Sequence, residues 1–515
     1  LQQHKLQIEN KNFFVRAYIT DEDAGDSYDI RFTGINVNRV WKSDRDWFGQ
    51  YAGAYIQAAS QGASPEQSHA AARQFADTGR FEPGTPEFKQ AFEQVTSDSD
   101  LATGSQFRDA SQLRHADVNY NFTHLTGDFA EIQAGGSFRQ YRLNSFGTIF
   151  TDYDAPITYS EYGIYTQIQK KLLEERLKLT GSLRYDKSEL FEGNVSPRFS
   201  IGYTAGEKRE HNFRASVQTG FRYPTTQDLF IGLDVGRALL VGSAEENLDR
   251  YVRTFDISET GKAVTGKPDA TISGRDAYYN SFSLNSVQAG APVASDVEIV
   301  KPEKVTAYEV GYRGRLGRVI VDLNAYFNQY KDFISNETVI VPLYGEVGDK
   351  SLSLLALQQG DYKAFQTYTN SSADVKSFGA SLGLSAKVFG DYDLEGSYTY
   401  AEEDFDQASA PDFRTNFNTP KHKVKLSFGN TEVFENFGFK VNYRWSDTYF
   451  WQASFADGQV PAFSVVDAQV SYKIPTIKSI LKAGATNIGG DEYFTAYGTG
   501  HIGQQYYISL TFNNF

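Results

Sequence analysis

The chain has 515 residues, 15% of them aromatic (33 Tyr, 39 Phe), with 44 Gly, no Cys and a formal net charge of -14. That charge, with a pI near 5.1, argues against a nucleic-acid partner, which needs clustered Lys and Arg; without Cys there is no disulfide framework, thiol nucleophile or thiolate metal site. No run of 18 apolar residues exists, which excludes transmembrane helices, while a mean hydropathy of -0.47 beside so many rings suits a chain showing rings to lipid and polar groups to water.

In chain order, residues 3–10 can contribute a first strand. "FFVRAYIT" and "SYDIRFTGINVNRV" then read as a hairpin over the polar turn Asp21–Asp26. A long insertion, 41–112, reads as partly helical. Ser64-Pro65 with Gln67 forms a capping box before an Ala-rich run, and Thr85-Pro86-Glu87 opens a second helix through Val95. Strands resume with "ADVNYNF" and "EIQAGGSF". From residue 157 the chain is a series of alternating stretches. "LKLTGSLRYD" sets Leu177, Leu179, Gly181, Leu183 and Tyr185 against Lys178, Thr180, Ser182, Arg184 and Asp186; "HNFRASVQTGFR", "RVIVDLNAYFN" and "FGFKVNYRW" repeat the pattern. A period of two marks half-buried strands, and about ten residues is the length of a tilted membrane-spanning strand.

A soluble sandwich also alternates, so the connections decide. Counting back from Phe515 they alternate: short near Ile474–Lys478, longer at 447–461, short at 430–436, longer at 403–420, tight at 390–391, very long at 331–373, tight at 316–318, and very long at 223–303. Short turns at one end and long loops at the other are the outer-membrane barrel pattern. The fold class is therefore all-β, a transmembrane antiparallel β-barrel with 17 visible strands, or 18 with residues 3–10. By parity the C-terminus is periplasmic and the loops 41–112, 223–303 and 331–373 are extracellular. Arg184, Arg214, Lys440 and Arg444 then face the lumen.

Two local motifs invite other readings. "GASLG" (379–383) matches a serine-hydrolase elbow, but Ser381 sits within an unbroken alternating stripe. "DYDLEGSYTYAE" places Asp391, Asp393, Glu395, Gly396 and Glu402 at EF-hand positions, yet it alternates as a strand leaving a tight turn. The seven histidines form no HExxH or i,i+4 pair. Neither catalytic residues nor a metal or other cofactor is expected, and the chain is not read as an enzyme. Tyr449, Phe450 and Trp451, in a loop, are the candidate ligand-stacking residues; an interfacial aromatic girdle explains such rings as well. In the closing "QQYYISLTFNNF", Tyr506, Ile508, Leu510 and Phe512 form the lipid stripe. A bulge at Asn513–Asn514 would return Phe515 to that face.

Three segments carry a resemblance. "VKPEKVTAYEVGYRGRLGRVIVDLNAYFNQYKDFI" (300–334), "NVSPRFSIGYT" with "FRASVQTGFRYPTTQDL" (194–229), and "LKAGATNIGGDEYFTAYGTG…YYISLTF" resemble TonB-dependent outer-membrane receptors, in the family's order. The 1–112 region is similar to the large importers of Bacteroidota-type bacteria. The resemblance implies a 22-stranded barrel, a plug domain that this sequence does not contain, and active import of a scarce large solute such as a siderophore, vitamin, glycan or oligopeptide. It implies no cofactor, and as partners the TonB-ExbB-ExbD complex, reached through an N-terminal segment not present here, outer-membrane lipid and the barrel-assembly machinery, for which a terminal Phe515 resembles the insertion signal. It leaves room for a surface lipoprotein lid that no residue here specifies. A longer gene product extending upstream is expected from the strand count. The alternative is a passive porin without energy coupling.

Overall fold

The computed structural model describes residues 1–349, 351–453 and 456–512. Alternation becomes one antiparallel sheet of 17 strands, numbered here β1 Gln2–Glu9, β2 Phe13–Asp21, β3 Gln112–Asn121, β4 Glu131–Leu143, β5 Ile157–Leu172, β6 Leu177–Ser188, β7 Asn194–Ala205, β8 His211–Arg222, β9 Glu303–Leu316, β10 Val319–Lys331, β11 Val375–Val388, β12 Tyr392–Phe405, β13 His422–Phe434, β14 Phe437–Ser446, β15 Phe463–Ile474, β16 Ser479–Thr486 and β17 Gln505–Phe512. Each strand pairs with its neighbours in chain order, β8 joining β9 across the long excursion between them. Tight turns such as 173–176, 317–318 and 435–436 gather at one end. The excursions 22–111, 223–302 and 332–374 gather at the other.

Register turns the alternation into two different surfaces. Phe199, Val217, Tyr308, Phe327 and Phe378 lie in one row across five strands, and rows like it leave large apolar side chains bare: Ile164 is 63% and Ile508 80% exposed. An apolar belt of this extent on one face of a wall is matched by lipid rather than water. Among the described residues no helix is long and apolar enough to cross a membrane, so the strands are the spanning elements. The opposite face is polar and cross-linked. Arg16 lies directly opposite Asp117 and grips it through two bonds of 2.8 and 2.7 Å. Arg184 donates to Asp186 (Nε–Oδ2 2.7 Å), and the pair lies over Gly163, where a Cβ would meet the Asp186 carboxylate at 2.3 Å. Glycine there is a recess for charged side chains.

Seventeen is odd, so β1 and β17 run in the same direction. Among the described residues each has one neighbour only, and all residues of both are exposed.

The expected hairpin partner of "FFVRAYIT" is corrected. β2 pairs with β1 and β3, while residues 30–41 of "SYDIRFTGINVNRV" form helix α1, Ile30–Trp41. This is why the strand total is 17 with residues 2–9 included, rather than 18. Asp29 caps α1 by accepting from Arg31 N and Phe32 N, and the buried positions Phe32, Thr33, Asn36 and Val37 follow a helical stripe. The apolar phase slips at Gly34, from 30 and 32 to 35 and 37, a break that a strand would need a bulge to absorb. Three more helices follow: α2 Asp44–Ser60, α3 Pro65–Ala76 and α4 Pro86–Ser97. The Ser64/Gln67 box caps α3, and Thr85 accepts from Phe88 N at the start of α4. "GASLG" lies inside β11, and the EF-hand-like run enters β12.

The long excursions fold on one another. Short strands from 223–302 (Gly232–Asp234, Leu239–Val241, Phe282–Ser283), from 332–374 (Ile334–Pro342, Tyr362–Asn370) and from 406–421 (Phe413–Arg414) make a single six-stranded sheet. Leu239–Val241 runs parallel to Phe365–Thr367. Its core gathers Val241, Leu248, Tyr251, Val339, Val341 and Phe365, all at most 1% exposed, and Tyr278 fastens Tyr368 by donating to its carbonyl (2.9 Å) and accepting from its N–H (3.1 Å). This unit, the cap, has a protein-like interior; the excursions are not separate surface loops.

Candidate ligand-binding chamber

The cap meets the wall where β8 ends. After Arg222, Thr225 caps the helix Thr226–Phe230 in a reciprocal box with Asp228 (Thr225 N–Asp228 Oδ2 2.8 Å; Asp228 N–Thr225 Oγ1 3.2 Å). Burial nonetheless pushes the Asp228 carboxyl up from its ordinary value, the Thr225 bonds opposing that shift. Three segments are tied at one point: Arg222 donates to Glu303 (2.8 Å) and to Ile334 O (3.1 Å), and Glu303 accepts from Ile334 N (2.9 Å).

Two cavities share Thr225. One, of ≈ 560 Å³, runs down the polar face of the wall. In register there, His115 faces Arg139 and Arg139 faces Glu161, the latter two 3.7 Å apart. His115 Nδ1 and Arg139 Nε are buried without a hydrogen-bond partner. The other cavity, of ≈ 620 Å³, lies where cap and wall meet and is lined by Arg222, Leu233, Val235, Asn336, Asn416 and Gln452 among others. Both volumes fall within the range of roughly 300–1,000 Å³ usual for small-ligand sites.

Further ties hold the roof. Arg414, 8% exposed, bonds to Ala453 O (3.2 Å) and pairs with Asp457, which also faces Arg237 at 3.7 Å; burial draws the Arg414 guanidinium down. On the cap sheet, Glu337 pairs in register with Phe413. Burial first, then Asp296 and Asp412, push its carboxyl up to about 7. A carboxyl raised on folding favours the protonated fold. Its contribution is whole below the ordinary value of 4.5, is lost as pH climbs through about 7, and is constant above. Glu337→Gln is expected to flatten the decline of cap stability over that window and to raise stability at pH 8 by about 3 kcal/mol, read as proteolytic protection of the cap against pH. An unchanged pH slope would reject this.

Of the residues singled out in sequence, Tyr449 and Trp451 share one face of a short strand and Phe450 takes the other. Tyr449 donates to Thr495 O (2.6 Å). Trp451 Nε1 is buried with no hydrogen-bond partner. Phe450, 51% exposed, lines a separate ≈ 360 Å³ recess with Phe405, Phe417 and Lys421. The three rings do not converge on one ligand position. Phe515 and the bulge expected at Asn513–Asn514 lie outside the described residues. Arg214 and Arg444 sit on the polar face opposite carboxylates, Asp322 at 3.3 Å and Asp467 at 3.6 Å. Sequence reasoning missed the carboxamides and the Arg222–Glu303 tie. Glu303 stands in the "KPEK" run, but nothing in the spacing places it beside residue 222.

The family model for the TonB-dependent receptor-like β-barrel matches residues 6–488. The chain belongs to that family. Its members are barrels of the bacterial outer membrane, which fits the lipid-matched belt. Among solved structures it is similar to the ferric enterobactin receptor of Pseudomonas aeruginosa (11% identity, TM-score 0.56, 99% of this chain and 60% of that one). It is also similar to the FrpB iron transporter of Neisseria meningitidis (13%, 0.50, 81% and 57%). At such identities the likeness concerns the fold, and the chain spans about 60% of the length of the first of these receptors. No curated protein matched.

Proposed function

We propose that this barrel serves TonB-coupled import of a solute across the outer membrane. The end bearing the cap faces outside and the tight turns face the periplasm. Ligand is held first in the chamber under the cap and then passes down the polar wall past Arg139 and Arg184, the TonB-ExbB-ExbD complex supplying the energy. The carrying observation is the folded cap with its own buried core over a chamber of ligand size; a passive pore gains nothing from a rigid roof across its mouth. No bond-making step belongs to this reading. Phe450, in its neighbouring recess, would be an auxiliary contact, and Phe515 the insertion signal.

The test works whatever the solute is. Spent medium from wild-type cells, a strain lacking this gene and a strain lacking TonB is compared by mass spectrometry. The same compounds should remain unconsumed in both deletion strains. A compound whose uptake needs this gene but proceeds without TonB would instead indicate a passive channel.

A further inference from the structure

Resting on that reading, we propose that the cavity under the cap is built for a short peptide with aliphatic side chains. Asn336 is 8% exposed and lines the cavity, and its Oδ1 has no hydrogen-bond partner. A buried acceptor left unsatisfied is costly, so the site calls for a ligand that brings a donor. Around it three of the other carboxamides are held in hydrogen bonds. Gln227 Nε2 donates to the Tyr368 hydroxyl (3.2 Å), Asn416 Nδ2 to Ser335 Oγ (2.6 Å), and Asn416 N to Gln452 Oε1 (3.0 Å). A carboxamide presents donor and acceptor side by side, the complement of a peptide group's own pair.

Five lining side chains are branched aliphatic: Ile231, Leu233, Val235, Leu240 and Ile334. Leu233 and Val235 pack against Ile231, Leu240 and Tyr368, and Phe333 is the other ring in the lining. Both lining arginines are paired, Arg222 with Glu303 and Arg31 with Asp29, and Asp228 adds a carboxyl to the lining, so the cavity is not a trap for a polyanion. Rich in carboxamides and in branched aliphatic side chains, the lining matches a peptide backbone with Leu- or Val-like side chains.

The full-length protein in lipid nanodiscs is offered three probes: a pentapeptide library with free termini, a neutral oligosaccharide series and a ferric tris-catecholate. Native mass spectrometry identifies what is retained, and calorimetry gives affinity for the retained species. Aliphatic pentapeptides should be retained. Asn336→Leu should weaken them by about tenfold or more, as expected when a site built on hydrogen bonding loses its partner. Val235→Gln, at an aliphatic lining position, should shift selection away from aliphatic side chains with the cap's proteolytic protection intact. Retention of the saccharide or catecholate in place of peptide would overturn the proposal, as would the absence of any retained peptide. Neither result bears on TonB dependence, which the spent-medium comparison reads separately.

Discussion

Replacing Phe365 with alanine is expected to unfold the cap while the 17-strand wall survives. Phe365 is fully buried at the centre of the cap sheet, in register with Val339 on one side and Leu239 on the other, its ring edge-on to Tyr251 at 6.1 Å. Truncating a buried Phe costs about 3–5 kcal/mol, from lost transfer energy and the cavity left behind. Among the described residues, Phe365 belongs to the largest of the cap's three buried clusters, and such a loss is a large part of the margin a small domain has. The wall does not share this core; its strands are held by ladder hydrogen bonds and by lipid. Limited proteolysis should therefore cut within 223–374, while the barrel keeps its heat-dependent gel mobility and ligand binding disappears. Simultaneous loss of the gel shift would mean that cap and wall form one cooperative unit.

Arg222→Met is expected to loosen the cap's attachment to the wall rather than unfold either, the buried cluster of Leu143, Ile157 and Tyr159 with Leu229, Phe230 and Ile334 still joining them. The substitution leaves the Glu303 carboxylate, whose side chain is 8% exposed, facing only Ile334 N. Arg222 itself is 45% exposed, so the cost is that of leaving one buried acceptor under-satisfied, about 1–3 kcal/mol, rather than that of breaking a fully buried pair. Adding Glu303→Gln should recover most of the loss, since an amide can still accept from Ile334 N without carrying a charge. Hydrogen exchange over 223–232 and 332–336 reports the outcome: fast in the single variant, slow again in the double. If the single variant exchanges as slowly as the wild type, the tie contributes no anchoring.

The wall is legible in the sequence because a strand that faces lipid on one side and water on the other must alternate residue by residue. "LKLTGSLRYD" and "HNFRASVQTGFR" therefore announce both strand and facing. Connection lengths add the topology. α1 resembles a strand in sequence because its short apolar spacing mimics alternation until the phase slip at Gly34, and its decisive contacts come from afar, with Asn36 Nδ2 donating to Leu101 O and Gly104 O (3.2 and 2.6 Å). The chamber is illegible for a related reason. Asn336, Asn416 and Gln452 come from three different excursions. The cap sheet pairs Asn336 with Arg414, two residues before Asn416, and Gln452 joins them by hydrogen bonds to Asn416 and Asn418. Tyr449, Phe450 and Trp451 are conspicuous by composition, but strand pleat divides them between two faces.

Each spanning strand shows one face to lipid and the other to a polar lumen, and adjacent residues on β8 test this facing. Because the chain has no cysteine, Ser216→Cys and Val217→Cys each carry a single bimane label after reconstitution into bilayers with brominated acyl chains. Strong quenching at 217 and little at 216 is the expected result. Equal quenching at both positions, or the reverse order, would contradict the account.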